Sequence, residues 1–220
     1  MRVLQAFSTT VGTKILIAVT GVFLVGFLIF HLFGNLLLFL GPESYNEHAH
    51  ALISNPLILP AEFGLIAIFL LHVYKAVVNY ARNLRARPIG YAMKKNAGGA
   101  SRKTLASTTM IVSGIVMFAF VLFHLYTFKY GPYYATNTTG VRDLYRLLIE
   151  VFHKPFDVVF YVVCMLIIGL HLRHGVSSAF QSLGLIPERW TRRFLQAGFL
   201  LAAAIAGGFV LIPLWVFFRL

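Results

Sequence analysis

Four histidines lie inside four separate apolar segments of this chain, one in each segment. They are His31, His72, His124 and His171. A histidine in hydrocarbon leaves two ring nitrogens without water to bond, so an ionisable residue there is costly and points to function. A single buried histidine would be explained by a hydrogen bond to a neighbouring helix. Four of them on four helices instead indicate pairs of imidazoles that face each other inside a bundle.

The apolar content of the chain assigns most of it to a membrane. Of the 220 residues, 59% are apolar and 12% are charged, and the mean hydropathy is +0.79. A water-soluble domain of this size cannot bury so much apolar surface, and about 20 apolar residues suffice to cross a bilayer. We therefore expect an all-α integral membrane protein, a single domain with five spans at about 12–40, 60–83, 105–130, 154–182 and 194–218.

Two further features limit the function. The first apolar segment is longer than the core of a signal peptide and no small-x-small cleavage site follows it, so we interpret it as a retained span. Cys164 is the one cysteine of the chain. A disulfide framework, a cysteine-ligated iron–sulfur cluster and a covalent CxxCH haem site are thereby excluded.

The distribution of basic residues predicts the orientation. Fourteen of the 19 Lys and Arg residues fall at the amino terminus, in the loops 82–103 and 183–193, or at the adjoining helix ends. By the positive-inside rule, the amino terminus is cytoplasmic and the carboxyl terminus lies outside the cytoplasmic membrane. The net charge of +12 is thus explained by topology rather than by nucleic acid binding. It also gives a basic cytoplasmic face that suits anionic lipid or an acidic partner protein.

With this orientation the four histidines sort by depth into two pairs. His31 and His124 each lie about 19 residues along an outward span, whereas His72 and His171 each lie about 11 residues before the inner end of theirs. We call His31 and His124 the outer pair, and His72 and His171 the inner pair. The two levels differ by about eight residues, or roughly 12 Å along the membrane normal.

Two haems stacked across the membrane are the simplest object that explains two imidazole pairs, since a six-coordinate haem iron takes two axial ligands. Gly34 and Gly175 lie three and four residues after His31 and His171, where a small residue admits a flat macrocycle as well as a neighbouring helix. Cationic side chains near the inner pair are candidates to bind haem propionates, or else extend to the membrane interface. They are Lys75, Arg82, Arg173 and His174.

The residues also resemble a known family. Five spans in 220 residues, a histidine in each of the first four, and the segments 12–36 and 169–184 resemble the di-haem cytochrome b membrane anchor of succinate:quinone oxidoreductases. The second segment, GLHLRHGVSSAFQSLG, is the more specific, because His171, Gly175 and Gly184 occupy the family's ligand and glycine positions. The resemblance pairs His72 with His171 for the proximal haem, and His31 with His124 for the distal haem.

The resemblance implies a subunit of a larger enzyme, succinate dehydrogenase or fumarate reductase. Such an anchor docks a flavoprotein and an iron–sulfur protein and relays electrons through two haems to a quinone, commonly menaquinone. It does not itself carry the dicarboxylate chemistry. Some fumarate-reducing members have a glutamate two residues before the ligand of the fourth span, where this chain has Gly169.

A redox quinone needs hydrogen-bond donors, a nearby haem and an opening to lipid. We expect it beside the outer pair, with Asn35, Tyr126 and Tyr130 as candidate contacts, because a two-haem relay is most useful if electrons leave at the far side. A site beside the inner pair is the alternative.

Two other functions compete with this interpretation. The cytochrome b anchor of a hydrogenase or formate dehydrogenase would place two ligands on one helix, which this chain does not do. A transporter with histidines that relay protons or bind metal is disfavoured because the chain has no internal repeat and almost no intramembrane carboxylate.

Overall fold

The computed structural model describes residues 9–86, 105–136 and 140–220, and it confirms an all-helical chain with five helices long and apolar enough to cross a membrane. We number the helices in chain order. They are α1 (Thr10–Leu36), α2 (Pro42–Ile53), α3 (Ile58–Arg85), α4 (Met110–His124), α5 (Leu144–Phe152), α6 (Pro155–Ser182) and α7 (Thr191–Arg219).

Shorter elements extend two of the long helices. A 3₁₀ turn, Leu37–Leu40, follows α1, and a π-helical turn, Leu125–Lys129, follows α4. The five spans agree closely with the predicted ones. The largest difference is at the third, where a separate turn, Leu105–Thr108, precedes the helix that starts at Met110.

Local sequence explains where several helices begin and end. Thr9 caps α1 by accepting a hydrogen bond from the Gly12 amide, and Pro155 stands in the first turn of α6, where its missing amide proton costs nothing. Gly184 ends α6 at a φ of 69°, a left-handed conformation that glycine adopts without strain. Gly184, which the family resemblance singles out, is therefore explained by the way in which α6 ends.

Helix α6 is the centre of the bundle. It packs against α7 along most of its length and also contacts α1 and α4. Its buried residues, including Tyr161, Cys164 and Leu172, join those of α7 and α5 in one hydrophobic core. Helix α3 differs, because it has no buried residue and packs mainly against α1. Of the inner pair, His171 thus lies on the central helix of the bundle and His72 on a peripheral one.

Helices α2 and α5 lie together at one end of the bundle, which we call the cap end. Asn46 of α2 joins them, because its amide donates to Asp143 Oδ1 (2.8 Å) and its carbonyl oxygen accepts the Tyr145 amide (2.9 Å). Asn46 is only 5% exposed. An ion pair between Glu62 and Lys129 joins the cap ends of α3 and α4.

A polar cluster fastens the segment after α4 to α5. The Tyr134 hydroxyl donates to Glu150 Oε2 (2.7 Å), and Arg146 Nε donates to Glu150 Oε1 (2.9 Å). The Tyr134 hydroxyl first and the Arg146 guanidinium second hold the pKa of Glu150 below its ordinary value. The cap end is therefore held by side-chain bonds as well as by apolar packing.

The predicted basic face can be followed in part. Eight of its 14 basic residues are described, and all belong to the half of the bundle away from the cap end. The other six lie outside the described residues; they are Arg2, Arg87, Lys94, Lys95, Arg102 and Lys103. Most of the loop 82–103 is among them. The structure supports a multi-pass membrane protein, and the orientation stays a prediction.

We predict that Asn46→Ala destabilises the cap end. The substitution leaves the Tyr145 amide and Asp143 without their buried partner, which should lower the free energy of unfolding by about 2 kcal/mol. The apparent thermal midpoint of the detergent-solubilised protein should fall by several degrees. Glu47→Ala, at an exposed neighbouring position, is the control, and equal midpoints for the two variants would contradict the bridging role.

Candidate functional site

The inner pair lies on α3 and α6, and its two rings contact two other long helices. The imidazoles of His72 and His171 are each half-buried. Each ring also has a hydroxyl partner on a third or fourth helix. His72 Nδ1 is 3.0 Å from Thr20 Oγ1 of α1, and His171 Nδ1 is 2.9 Å from Ser113 Oγ of α4.

The hydroxyl bonds determine which imidazole nitrogen carries the proton. Thr20 Oγ1 already donates to the Leu16 carbonyl (2.6 Å), and Ser113 Oγ donates to the Met110 carbonyl (3.0 Å). With the hydroxyl proton on that carbonyl, the oxygen accepts from the histidine, and Nδ1 is the donor. In both neutral imidazoles Nε2 then keeps its lone pair, which is the form that binds a metal ion.

The outer pair also meets, between α1 and α4. The ring centroids of His31 and His124 are 5.8 Å apart, with the ring planes at 87°. A metal ion with bonds of about 2 Å to one nitrogen of each ring would hold the two centroids roughly 6 Å apart. The observed centroid separation is compatible with that length.

Aromatic side chains enclose the outer pair. Phe27 stacks on His31 with centroids 5.3 Å apart, and Phe120 and Phe128 flank His124 at 5.7 and 5.3 Å. The polar contacts here are longer than those of the inner pair. Tyr161 Oη is 3.4 Å from His124 Nδ1, and Asn35 Nδ2 is 3.5 Å from His31 Nε2.

The residues that bond the inner pair also show how far apart the inner and outer histidines lie along the helices. Thr20, which bonds His72, lies 11 residues before His31 on α1, and Ser113, which bonds His171, lies 11 residues before His124 on α4. At about 1.5 Å per residue the levels are roughly 16 Å apart along the helices. The sequence estimate of roughly 12 Å was shorter because it counted from approximate span ends and ignored the stagger between helices.

The glycines near the histidines have different neighbours. A Cβ at Gly175 would meet no atom within 4 Å, so open space lies one turn after His171, as the haem hypothesis requires. A Cβ at Gly34 would instead lie 2.9 Å from His48 Nε2. The space beside Gly34 is therefore filled by a histidine of α2, and the helix has no free face there for a macrocycle. At Gly21, which the sequence did not single out, a Cβ would lie 3.3 Å from Cε1 of His72.

The cationic candidates do not all face the inner pair. Arg82 donates to Thr13 Oγ1 (3.3 Å), which places it on the α1 side of α3, and Lys75 lies near the Tyr74 ring. The imidazole of His174 is within electrostatic range of His171. Arg173 lies about 200° around α6 from His171. Its guanidinium is 5.3 Å from the Phe199 ring of α7, so it faces away from the pair.

The three quinone candidates are also separated. Asn35 lies beside the outer pair, but its side chain is engaged, because its amide donates to the His31 carbonyl (2.8 Å) and its oxygen accepts the Tyr45 hydroxyl (3.1 Å). Burial raises the pKa of that Tyr45 hydroxyl. Tyr126 and Tyr130 are each 73% exposed on the outside of the bundle. The structure therefore does not bring these three side chains into one site.

Sequence reasoning missed Thr20, Ser113, Tyr161 and Gly21. A signal for the two hydroxyls was present in the sequence, since α1 contains Thr-x10-His and α4 contains Ser-x10-His. Eleven residues are close to three helical turns, so each hydroxyl shares a face with the outer histidine of its own helix. The pattern shows that these polar residues point into the bundle, but it does not show which histidine they meet.

Two imidazoles are a poor site for a bare metal ion. Within residues 9–86, 105–136 and 140–220, no three His, Cys, Asp or Glu side chains cluster to hold one. An axial pair needs a ligand that supplies the remaining positions, and a porphyrin does so with four nitrogens. Comparison with protein-family models, with curated proteins and with solved structures gave no match.

We predict that Gly21→Val displaces the imidazole of His72. The added Cβ and methyl groups would press on that ring, and such overpacking costs about 1–3 kcal/mol. Gly26→Val is the control, since it makes the same change in the same helix where a Cβ meets no atom within 4 Å. The apparent thermal midpoint should fall further for Gly21→Val than for Gly26→Val, and equal effects would show that Gly21 does not make room for His72.

Proposed function

We propose that this chain is the membrane anchor and electron-transfer subunit of a succinate:quinone oxidoreductase and holds two non-covalent b-type haems. The observation that carries the proposal is the placement of four histidines on four long helices at two levels, with the two outer rings in contact. His72 and His171 would hold the iron of one haem, and His31 and His124 that of the other. The inner pair is held by hydroxyls that leave both Nε2 atoms available.

The chemistry of the donor set fits haem. Neutral imidazoles inside an apolar bundle are suitable axial ligands, the outer rings are spaced for one iron, and open space lies beside Gly175. One-electron transfer between an iron–sulfur protein and a quinone is the chemistry that bound haem supplies. The residues of the chain hold and orient the ligands and exclude water, and the aromatic side chains around His31 and His124 contribute to that exclusion.

The partners follow from the resemblance and from the charge distribution. An iron–sulfur subunit and a flavoprotein subunit would dock on the cytoplasmic face near the inner pair, and the flavoprotein would carry the dicarboxylate chemistry. The chain would contribute the haem relay and a quinone site rather than a complete active site. Lys75, Arg82 and His174 remain the candidates to hold propionates, whereas the guanidinium of Arg173 faces α7.

The quinone, menaquinone by resemblance, would bind beside the outer pair. Of the three predicted contacts, Asn35 is the one that lies beside the outer pair, because its side chain contacts His31. Tyr126 and Tyr130, exposed on the outside of the bundle, would not share that site.

We predict two haems per chain and one after loss of either pair. A pyridine haemochrome assay should give a ratio of two for the unaltered protein, and about one for His72→Ala, His171→Ala, His31→Ala or His124→Ala. His153→Ala, at an exposed position after α5, should keep two and is the control. A ratio of one in the unaltered protein, or two in any ligand variant, would contradict the assignment.

We also predict that electrons from succinate enter at the inner pair. In membranes that contain the whole complex, succinate should reduce the b-type absorbance, and His72→Ala or His171→Ala should abolish that reduction while dithionite still reduces the remaining haem. Mild detergent at low salt should retain the soluble subunits, since contacts between exposed charges weaken as salt rises. Purification of the chain alone under those conditions, with haem that succinate cannot reduce, would refute this function.

A further inference from the structure

The hydroxyl contact to an inner histidine occurs twice in the same form. In each case the hydroxyl belongs to one long helix, α1 or α4, and the histidine belongs to the next long helix in the chain, α3 or α6. Both hydroxyls are 11 residues before the outer histidine of their own helix. The hydroxyl contacts of His72 and His171 therefore have the same arrangement.

Helix packing alone does not account for these contacts. Thr20 is 5% exposed and Ser113 is 7% exposed, so both are buried polar residues. Each hydroxyl proton is already satisfied by a carbonyl of its own helix. The additional bond gives the histidine Nδ1 a partner inside an apolar bundle, where an unpaired N–H is costly, and His72 has the Ile17 backbone as a second hydrogen-bond partner.

Among residues 9–86, 105–136 and 140–220, the outer pair has no equivalent. There His124 Nδ1 has the long contact of 3.4 Å to Tyr161, and the side-chain contact of His31 is made by Nε2, to Asn35 at 3.5 Å. The inner bonds, at 3.0 and 2.9 Å, have the length of ordinary hydrogen bonds. The two pairs thus differ in the hydrogen bonds that their rings make.

We propose that Thr20 and Ser113 are positioning residues that fix His72 and His171 in the Nδ1–H form and thereby lower the midpoint potential of the inner haem. The inference rests on the proposed haem function. An imidazole that donates its Nδ1 proton is a stronger base at Nε2, and a more basic ligand favours ferric over ferrous iron. The outer haem receives no such effect from its own pair.

Redox titration of the purified protein, followed by the haem absorbance, tests this proposal. Thr20→Val and Ser113→Ala should each shift the inner midpoint to a more positive potential and leave the outer one unchanged, and the double variant should shift it further. Loss of a ligand's hydrogen-bond partner typically weakens metal binding by about 10–100-fold, so these variants should also release the inner haem more readily. The His124→Ala variant, which should keep only the inner haem, assigns the two transitions.

Three control variants separate positioning from packing. Thr20→Ser and Ser113→Thr keep a hydroxyl and should keep the original potential. Ser177→Ala removes a hydroxyl that bonds only the Arg173 and His174 carbonyls, and it should leave both potentials unchanged. A shift in these conservative variants as large as in Thr20→Val would overturn the proposal.

The nitrogen-15 spectrum of protein made without haem gives a second readout. His72 and His171 should show a protonated Nδ1 and a bare Nε2, and Thr20→Val and Ser113→Ala should each remove that preference at the contacted ring. A protonated Nε2 in the unaltered protein would overturn the proposal. Absence of haem from protein made with haem present overturns both proposals, whereas two bound haems with potentials unchanged in Thr20→Val and Ser113→Ala overturn this one alone.

Discussion

An imidazole inside an apolar bundle needs a partner for each ring nitrogen, and the arrangement of the long helices follows from this need. Helix α1 supplies such partners to several neighbouring helices. Four polar residues lie on one face of α1, and each contacts a different residue of another helix. They are Thr13, Thr20, His31 and Asn35. Through them α1 contacts α3 at two depths, α4 at a third and α2 at the cap end. Rotation of α1 by half a turn would break all four contacts, so its polar face fixes the register of the bundle.

The two histidine pairs lie differently with respect to the tightly packed core: the outer pair borders it through Phe120 and Tyr161. The buried core is built mainly on α6 and α7 and is closed at the cap end by α2 and α5. The inner pair instead spans from α6 to α3, a helix without a buried residue. The bundle is therefore packed firmly around the outer pair and more loosely on the α3 side of the inner pair.

The five helices and the four histidines were predictable because length, hydropathy and isolated polar residues are local properties of a sequence. The partners of the histidines were not, since helix rotation and stagger are set by packing between distant segments. Thr20 and Ser113 therefore looked like ordinary small residues, and Gly34 looked like room for a macrocycle although His48 lies against it. Arg173 was grouped with His171 by depth alone, but two residues along a helix turn a side chain to the other side.

The most direct test of the account is a cryo-electron microscopy map of the purified protein. It should show two flat densities inside the bundle, one between His72 and His171 and one between His31 and His124, with centres roughly 16 Å apart along the helices. Each should be bracketed by its two imidazoles, and the Nδ1 atoms of the inner ones should contact Thr20 and Ser113. A bundle whose histidines contact only one another and neighbouring side chains, with no density between either pair, would contradict the account.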